Sequence, residues 1–277
     1  MALYINNTYK YQADNQVVQY VNGLRFPKSA TIKKTDLSPD DLGKYKLPSG
    51  FFVARIGKSY RPMPQMRTTT TVLTSSPRFK VAYPYIFKSG DVVKVIKPYT
   101  TLTVSGTGAT SVTLNGLTVD ATPTGAANAT EAAVILADLY NDSRLGQYLE
   151  FIPSAATLLV FAKDGKTLYT VTFTGLTGTG TLAFNSTAIG TVLSVDSATD
   201  EVLLVANATV ALPAGVTVGV MVDEVYGIHI GSVSFKDHEP YRDIPICDEA
   251  KLKLARMPFW DDYVRTFLPM LEARIKW

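Results

Sequence analysis

The chain has 277 residues, enough for one large domain or two of ordinary size. Its hydrophobic fraction of 46% and charged fraction of 18% indicate a globular protein with a buried core and exclude a largely disordered one. The formal net charge of +3, with no basic run longer than Lys33-Lys34, argues against a nucleic-acid partner. No apolar stretch reaches the roughly 18 residues that a membrane helix needs, so no membrane partner is expected.

The termini and the cysteine content predict a protein made in a cytosol. The amino-terminal sequence MALYINNTYKYQADNQ has neither the basic start nor the apolar core of a secretion signal. The one cysteine, Cys247, excludes an intrachain disulfide and is interpreted as a small buried hydrophobic residue.

Residues 1–47 are polar, rich in tyrosine and weakly periodic, which predicts an extended arm with one short strand near residues 17–21. The SPDD stretch from Ser38 is typical of a capped helical turn. Tyrosine and arginine often anchor protein interfaces, and an extended arm can add a strand to a partner's sheet. A frayed terminus, or a strand folded back on its own domain, is the alternative. The candidate contact residues are Tyr4, Tyr9, Tyr11, Tyr20, Arg25, Phe26, Lys33 and Lys34.

Strands are predicted on both sides of a long, weakly charged stretch. The first covers residues 51–56 in SGFFVARIGKSYRPMP and ends at a Gly57-Lys58 turn. A second is predicted in FKSGDVVKVIKP. Further on, GTVLSVDSATDEVLLV predicts a hairpin with its tip at residues 196–200, and PAGVTVGVMVDEVYGIHIGSVSF predicts strands rich in valine and isoleucine.

The composition changes abruptly between these two sets of strands. From Tyr99 to Gly190 there are 9 charged residues in 92, three basic and six acidic, which gives a local net charge of −3. The whole chain has 27 + 24 = 51 charged residues, so 51 − 9 = 42 lie in the other 277 − 92 = 185. This contrast predicts a domain boundary at each end of the stretch.

The weakly charged stretch is predicted to be folded and not a flexible spacer, because its apolar residues are periodic. SVTLNGLTV alternates around Asn115-Gly116, a strong hairpin signal. Either Asn128 or Thr130 is expected to cap a helix, and three more strands are predicted in YLEFI, ATLLVFA and TLYTVTF. The predicted apolar stripe of the helix is Val134, Ile135, Leu136, Leu139 and Tyr140.

The carboxyl-terminal segment predicts an amphipathic helix that is kinked or split by Pro269. Asp261-Asp262 is interpreted as the first turn of that helix, where carboxylates offset the helix dipole. The residues of its apolar face are Val264, Phe267, Leu268, Leu271 and Ile275.

No catalytic, cofactor-binding or metal-ligating residue is predicted. Of the two histidines, His229 alternates with isoleucines in a strand and His238 lies in a charged loop, so neither is expected to be a catalytic base. Neither a P-loop nor a G-x-S-x-G elbow is present. The glycine-rich SGTGATS leads into a strand and lacks the spacing of a nucleotide-binding loop. The chain is therefore expected not to be an enzyme and to need no cofactor.

Several stretches, in a fixed order, resemble the head decoration (capsid cement) proteins of tailed phages. FKSGDVVKVI resembles their Gly-Asp strand. The YGI strand, the DIP strand and the helical end of the chain around LP resemble their carboxyl-terminal third. The likeness covers roughly residues 50–98 and 215–275, and the stretch between them resembles a small Thr/Gly/Ala-rich domain of phage virion proteins. The segment LPSGFFVARIGKSYRPM resembles a strand and G-K-Y-like turn of the family at Gly50, Gly57, Lys58, Tyr60 and Pro62, with Ser59 before the tyrosine.

The resemblance implies a mainly β, tulip- or barrel-like body that binds the major capsid protein on the outer capsid surface and self-associates as a dimer or trimer. The expected organisation is an arm (1–47), a split body with a carboxyl-terminal helix (48–98 plus 191–277) and an inserted ββαβββ-like α+β domain (99–190). The arm is longer than in the shortest family members, and the insert interrupts the body. A phage tail or baseplate component, or a virion-surface carbohydrate-binding module, are the alternative functions.

Overall fold

The computed structural model shows a mainly β protein with one α-helix in the part of the chain that it describes. The described residues are 18–19, 28–40, 42–229, 233–247, 250–253, 261, 264 and 271–274. Within these ranges, each helix is too short or too polar to cross a membrane.

The described residues form twenty-three strands, and most of their pairings are antiparallel. In chain order they are β1 (Val18–Gln19), β2 (Lys28–Lys33), β3 (Lys46–Leu47), β4 (Phe52–Ile56), β5 (Ser59–Pro62), β6 (Gln65–Arg67), β7 (Arg78–Lys80), β8 (Val92–Val95), β9 (Tyr99–Val104), β10 (Thr110–Leu114), β11 (Leu117–Ala121), β12 (Leu149–Ser154), β13 (Thr157–Ala162), β14 (Val171–Thr174), β15 (Leu176–Gly178), β16 (Gly190–Asp196), β17 (Glu201–Leu204), β18 (Thr217–Gly219), β19 (Glu224–His229), β20 (Val233–Ser234), β21 (Tyr241–Cys247), β22 (Ala250–Lys253) and β23 (Leu271–Arg274). The helix α1 covers Ala129–Asp142, and short 3-10 helices lie at Lys34–Asp36, Pro84–Ile86 and Arg144–Gln147.

Two sheets combine strands from both sides of the weakly charged stretch. A five-stranded sheet has the order β2-β21-β19-β4-β5, and a six-stranded sheet has the order β6-β18-β8-β16-β17-β7. The edge strands β2 and β5 of the first sheet lie close to each other, so the sheet curls around its apolar face. That face contributes Ile32, Val53 and Ile246 to a hydrophobic core shared with the six-stranded sheet.

Residues 99–178 form two further sheets, with orders β11-β10-β14 and β12-β13-β9-β15, and the helix α1 packs on them. Every strand of these two sheets comes from this stretch. Their apolar side chains form a second core that includes Leu102, Leu136 and Leu158. Leu159 and Phe161 on β13 point the other way and belong to the first core, so the two units share an interface.

Local sequence signals explain the turns and the helix start in this unit. Asn115 and Gly116 have φ values of 51° and 80°, and the positive values at both positions match the tight turn between β10 and β11. Asn128 is the N-cap of α1, since its side chain accepts a hydrogen bond from the Glu131 backbone at 3.0 Å. Of the two predicted capping residues, Asn128 and Thr130, the helix uses Asn128.

The buried face of α1 differs from the predicted stripe. Leu136 and Tyr140 are buried as predicted, but Val134 is 47% exposed and Leu139 is 43% exposed. Three alanines, Ala132, Ala133 and Ala137, take the contact positions instead. Small side chains at these positions allow the helix to lie close to the sheets, and Val134 and Leu139 then face solvent.

Two predictions about the ends of the chain need correction. Leu271–Arg274 is not helical but is strand β23, paired in parallel with β22, because Pro269 prevents a continuous helix and the backbone bonds to a neighbouring strand. The predicted arm is docked on the body from residue 28, with Ile32 and Leu47 buried. Residues 38–40 of the SPDD stretch are not helical, and the Asp40 carboxylate accepts from the backbone amides of Leu42 and Lys44.

Residues 99–190, expressed alone, should fold into a cooperative unit, because their two sheets and α1 enclose a core of their own. A thermal melt by circular dichroism checks this. The rest of the chain, closed by a short linker between residues 98 and 191, should remain folded. A fragment without a melting transition, or a remnant with no structure, would contradict the prediction of an inserted domain.

Candidate functional site

The predicted contact residue Lys33 lies on an exposed two-stranded surface. β2 and β21 pair so that Lys33 lies opposite Tyr241 and Thr31 lies opposite Asp243. Tyr241 is 56% exposed, and the Thr31 hydroxyl donates to the Asp243 carboxylate at 2.5 Å. We call the outward side chains Ser29, Thr31, Lys33, Tyr241 and Asp243 the β2–β21 surface. It presents a large aromatic side chain beside a cation, a combination common at protein interfaces.

A groove of about 580 Å³ lies next to this surface. It is formed where the chain leaves β2, where it enters β21, and where the loop before β8 approaches both. The lining mixes apolar and charged side chains, which is typical of protein recognition. Its principal residues are Lys34, Leu37, Tyr45, Lys88, His238 and Glu239.

Lys34, the second basic contact residue, is held by its own chain. Its ammonium donates to the carbonyls of Lys236 and Asp237 at 3.4 and 3.2 Å and lies 4.9 Å from the ring centre of Tyr45. Lys34 therefore forms part of the groove wall, and its role as a capsid contact stays a prediction. The other candidate contacts, Tyr4, Tyr9, Tyr11, Tyr20, Arg25 and Phe26, lie outside the described residues.

A buried ion pair joins two of the motifs that carry the family resemblance. Arg61, from the GKSYRP segment, contacts Asp91 of the Ser-Gly-Asp turn through two hydrogen bonds of 2.7 Å. Their side chains are 3% and 6% exposed. Arg61 also donates to the Ile86 carbonyl, and Asp91 accepts from the Lys88 backbone. A bidentate buried pair of this kind fixes the two segments in one arrangement.

A second buried network lies between the body and the residues 99–178 unit. The Lys97 ammonium is 2.5 Å from Glu150 Oε2 and 3.1 Å from Asp261 Oδ2. Arg67 contacts Glu150 at 2.6 Å and approaches Asp261 at 3.7 Å, and Thr217 donates to Asp261 at 2.7 Å. Among the described residues, the network holds two cations and two carboxylates, whose formal charges balance.

The charges in this network determine the protonation of Glu150. Burial alone raises the pKa of the Glu150 carboxyl, but the charges and hydrogen bonds of Lys97 and Arg67 outweigh it. The pKa of Glu150 therefore lies below its usual value, and the group is a carboxylate at neutral pH.

The sequence interpretation missed this network. The sequence places Asp261 in the first turn of a helix, but it does not reveal that the side chain is 1% exposed and accepts hydrogen bonds from Lys97 and Thr217. The one available signal was Lys97 itself, a charge between Ile96 and Pro98 at the start of the weakly charged stretch.

The two histidines lie in different surroundings. His229 is fully buried, its Nδ1 lies 3.3 Å from the Pro245 carbonyl, and its Nε2 has no hydrogen-bond partner among the described residues. Burial lowers the pKa of His229 to about 4, and the Pro245 contact opposes this only in part. His229 is thus the hydrogen-bonded strand histidine that the sequence indicates, while His238 is exposed at the groove.

Acidification from pH 6.5 to 4 should lower the free energy of unfolding by up to about 3 kcal/mol through His229. The unfolded chain binds a proton at this side chain in that window, whereas the folded chain does not. Urea denaturation across this pH range checks the loss. H229Q should flatten the profile and H238Q, on the exposed loop, should not; equal profiles for wild type and H229Q would contradict the assignment.

Comparisons with known proteins add no relative. No protein-family model matches the chain, and no curated protein is significantly similar to it. Within the ranges that the structure describes, no group of three or more His, Cys, Asp or Glu side chains is arranged to hold a metal ion.

Proposed function

We propose that the chain is a structural protein of a tailed-phage virion that binds the major capsid protein on the outer surface of the expanded head and stabilises it. The proposal rests on the resemblance of the sequence to capsid decoration proteins, and one structural observation supports it. The resembling stretches lie more than 100 residues apart, yet β4, β19 and β21 are neighbours in one sheet. The Arg61–Asp91 pair joins the stretch that contains β4 to one further stretch, FKSGDVVKVI.

The curled five-stranded sheet supports a barrel-like body in this proposal. The body would be seated on the capsid, and the residues 99–190 domain would project from it. A protein that bridges neighbouring capsid subunits adds interface area that is lost only when the shell opens, so its binding energy opposes opening. Self-association as a dimer or trimer would make the attachment multivalent, and several weak contacts would then give a tight hold.

The β2–β21 surface is the capsid-facing part of the body in this proposal, because it continues directly from the tyrosine-rich amino-terminal segment. Lys33 and Tyr241 face each other across the strand pair and supply a charge and a large aromatic contact.

Purified protein should co-sediment with expanded, undecorated heads. Y241S and K33E should each weaken binding by about tenfold or more, since aromatic and charged anchors dominate interface energies. K166E is the matched control, because Lys166 is an exposed lysine in the residues 99–178 unit. Absence of co-sedimentation with heads, together with binding to tails, would favour the tail or baseplate alternative.

The carbohydrate-binding alternative would need exposed aromatic rings on the residues 99–190 domain. Tyr140, Phe151 and Phe161 are at most 2% exposed, whereas Tyr148 and Phe184 are 47% and 45% exposed. A glycan array probed with residues 99–190 distinguishes this alternative from the capsid proposal.

A further inference from the structure

Lys97 is a buried primary amine held between two carboxylates. Its Nζ lies 2.5 Å from Glu150 Oε2, and it lies 3.1 and 3.3 Å from the two carboxylate oxygens of Asp261. The latter two distances put the carboxyl carbon of Asp261 within about 3.6 Å of Nζ, close to the near-attack separation of reacting atoms. A simple ion pair needs one carboxylate. A condensation between an amine and a carboxyl group also needs a group beside it that relays protons, and Glu150 lies in that position.

Two donors besides Lys97 are aimed at one oxygen of Asp261, Oδ2. Thr217 donates to Oδ2 at 2.7 Å, and the Arg67 guanidinium lies 3.7 Å from the same oxygen. Donors aimed at one carboxyl oxygen stabilise the negative charge that develops there when a nucleophile adds to the carbon. Oδ2 is therefore suited to remain as the carbonyl oxygen, and Oδ1 is suited to leave.

The site also limits access of water. The side chains of Lys97 and Asp261 are 2% and 1% exposed, and the Phe161 ring centre lies 5.7 Å from Nζ with Tyr99 stacked behind it. Glu150 is a carboxylate at neutral pH, so it is in the form that accepts a proton from the neighbouring Lys97 ammonium. A dry site also slows hydrolysis of an amide once it has formed.

We propose that Lys97 and Asp261 condense spontaneously to an isopeptide bond, with Glu150 relaying protons. Glu150 Oε2 accepts a proton from the Lys97 ammonium, and the neutral amine adds to the Asp261 carboxyl carbon. The tetrahedral intermediate loses Oδ1 as water, which takes up the two protons that left nitrogen. One C–N bond forms and one C–O bond breaks, no redox partner is needed, and Glu150 returns to its starting state.

The bond would join the end of β8 to the carboxyl-terminal segment across 163 intervening residues (261 − 97 − 1). This inference is independent of the capsid proposal, because it concerns the chemistry of one buried cluster in the free protein. A covalent loop of this length constrains the unfolded chain and would resist mechanical opening.

Intact-mass spectrometry of the full chain, denatured after overnight incubation at neutral pH, tests the proposal. The expected mass is lower than the sequence mass by one water, and a protease digest should contain one branched peptide joining the Lys97 and Asp261 segments. Full sequence mass with separate linear peptides would mean that the cluster is an ion-pair network only, and would overturn the proposal.

Variants separate this bond from dehydration elsewhere in the chain. K97R and E150Q should keep the full mass, whereas K94R should lose one water like wild type. D261N should lose one ammonia instead and give the same branched peptide, because an amide nitrogen can leave in place of Oδ1. Water loss that persists in K97R would place the modification elsewhere and also overturn the proposal. The wild-type measurement decides the matter even where a variant fails to fold.

Discussion

Replacing Lys97 with methionine should lower the free energy of unfolding by about 3–5 kcal/mol. The substitution leaves the Glu150 and Asp261 carboxylates buried near each other, with Arg67 as the remaining cation that the described residues place beside them. The chain would then have to bury an uncompensated negative charge or take up a proton there. Urea denaturation monitored by circular dichroism measures the loss.

A matched substitution and a double variant separate charge from packing. K94M removes a lysine three residues earlier on β8, where the side chain is half-exposed, and should change stability by no more than about 0.5 kcal/mol. K97M combined with D261L removes one charge of each sign and leaves the Arg67–Glu150 pair, so part of the stability should return. Neither K97M nor the double variant can form the proposed Lys97–Asp261 bond. Any stability that the double variant regains over K97M is therefore due to the charge balance. Equal effects of K97M and K94M would contradict the account of the network.

Deleting residues 1–35 should cost at least about 5 kcal/mol, comparable to the whole stability of a domain. The deletion removes β2, whose backbone pairs with β21 along its length and whose Ile32 and Ala30 are buried in the core. It therefore cannot serve as a clean test of the arm. A thermal melt should show a large drop in the transition temperature or no cooperative transition.

Deleting residues 1–17 is the appropriate comparison, because β1 and β2 are retained. This variant lacks Tyr4, Tyr9 and Tyr11, so the capsid proposal expects weaker binding to expanded heads with a melting temperature close to that of the full chain. A 1–35 deletion that melts like the full chain would contradict the role of β2. A 1–17 deletion that binds heads as well as wild type would remove these tyrosines from the proposed interface.

Features set by a few adjacent residues were predicted well. The Asn115-Gly116 turn, the Asn128 cap and the Gly57-Lys58 turn each follow from backbone preferences or one local hydrogen bond. The alternation of apolar residues likewise predicted most strands of the mainly β fold. Each of these signals lies within about ten consecutive residues, so it can be recognised without knowing which strands pair.

Features that depend on distant partners were not predictable in this way. Asp261 looks like a helix-start carboxylate until Lys97 and Thr217, 164 and 44 residues away, are placed beside it. Leu271–Arg274 keeps a helical apolar spacing, but its backbone pairs with β22. The alternative that the amino-terminal segment folds back on its own domain is what the structure shows for β2. At the candidate site, Lys33 is exposed as expected, while Lys34 is occupied by neighbours that sequence alone does not reveal.

The pairing of β8 with β16 has a consequence for engineering. Val93 lies opposite Gly190, so the chain leaves the six-stranded sheet after β8 and returns to it on the adjacent strand. Neighbouring strands are about 4.7–4.9 Å apart, and any domain whose own ends lie close together can be spliced in at this point without changing the register of the sheet. The protein thus offers a scaffold in which another domain can take the place of residues 99–190. That domain would need a carboxylate at the position of Glu150, or Lys97 would have to be replaced by an uncharged residue.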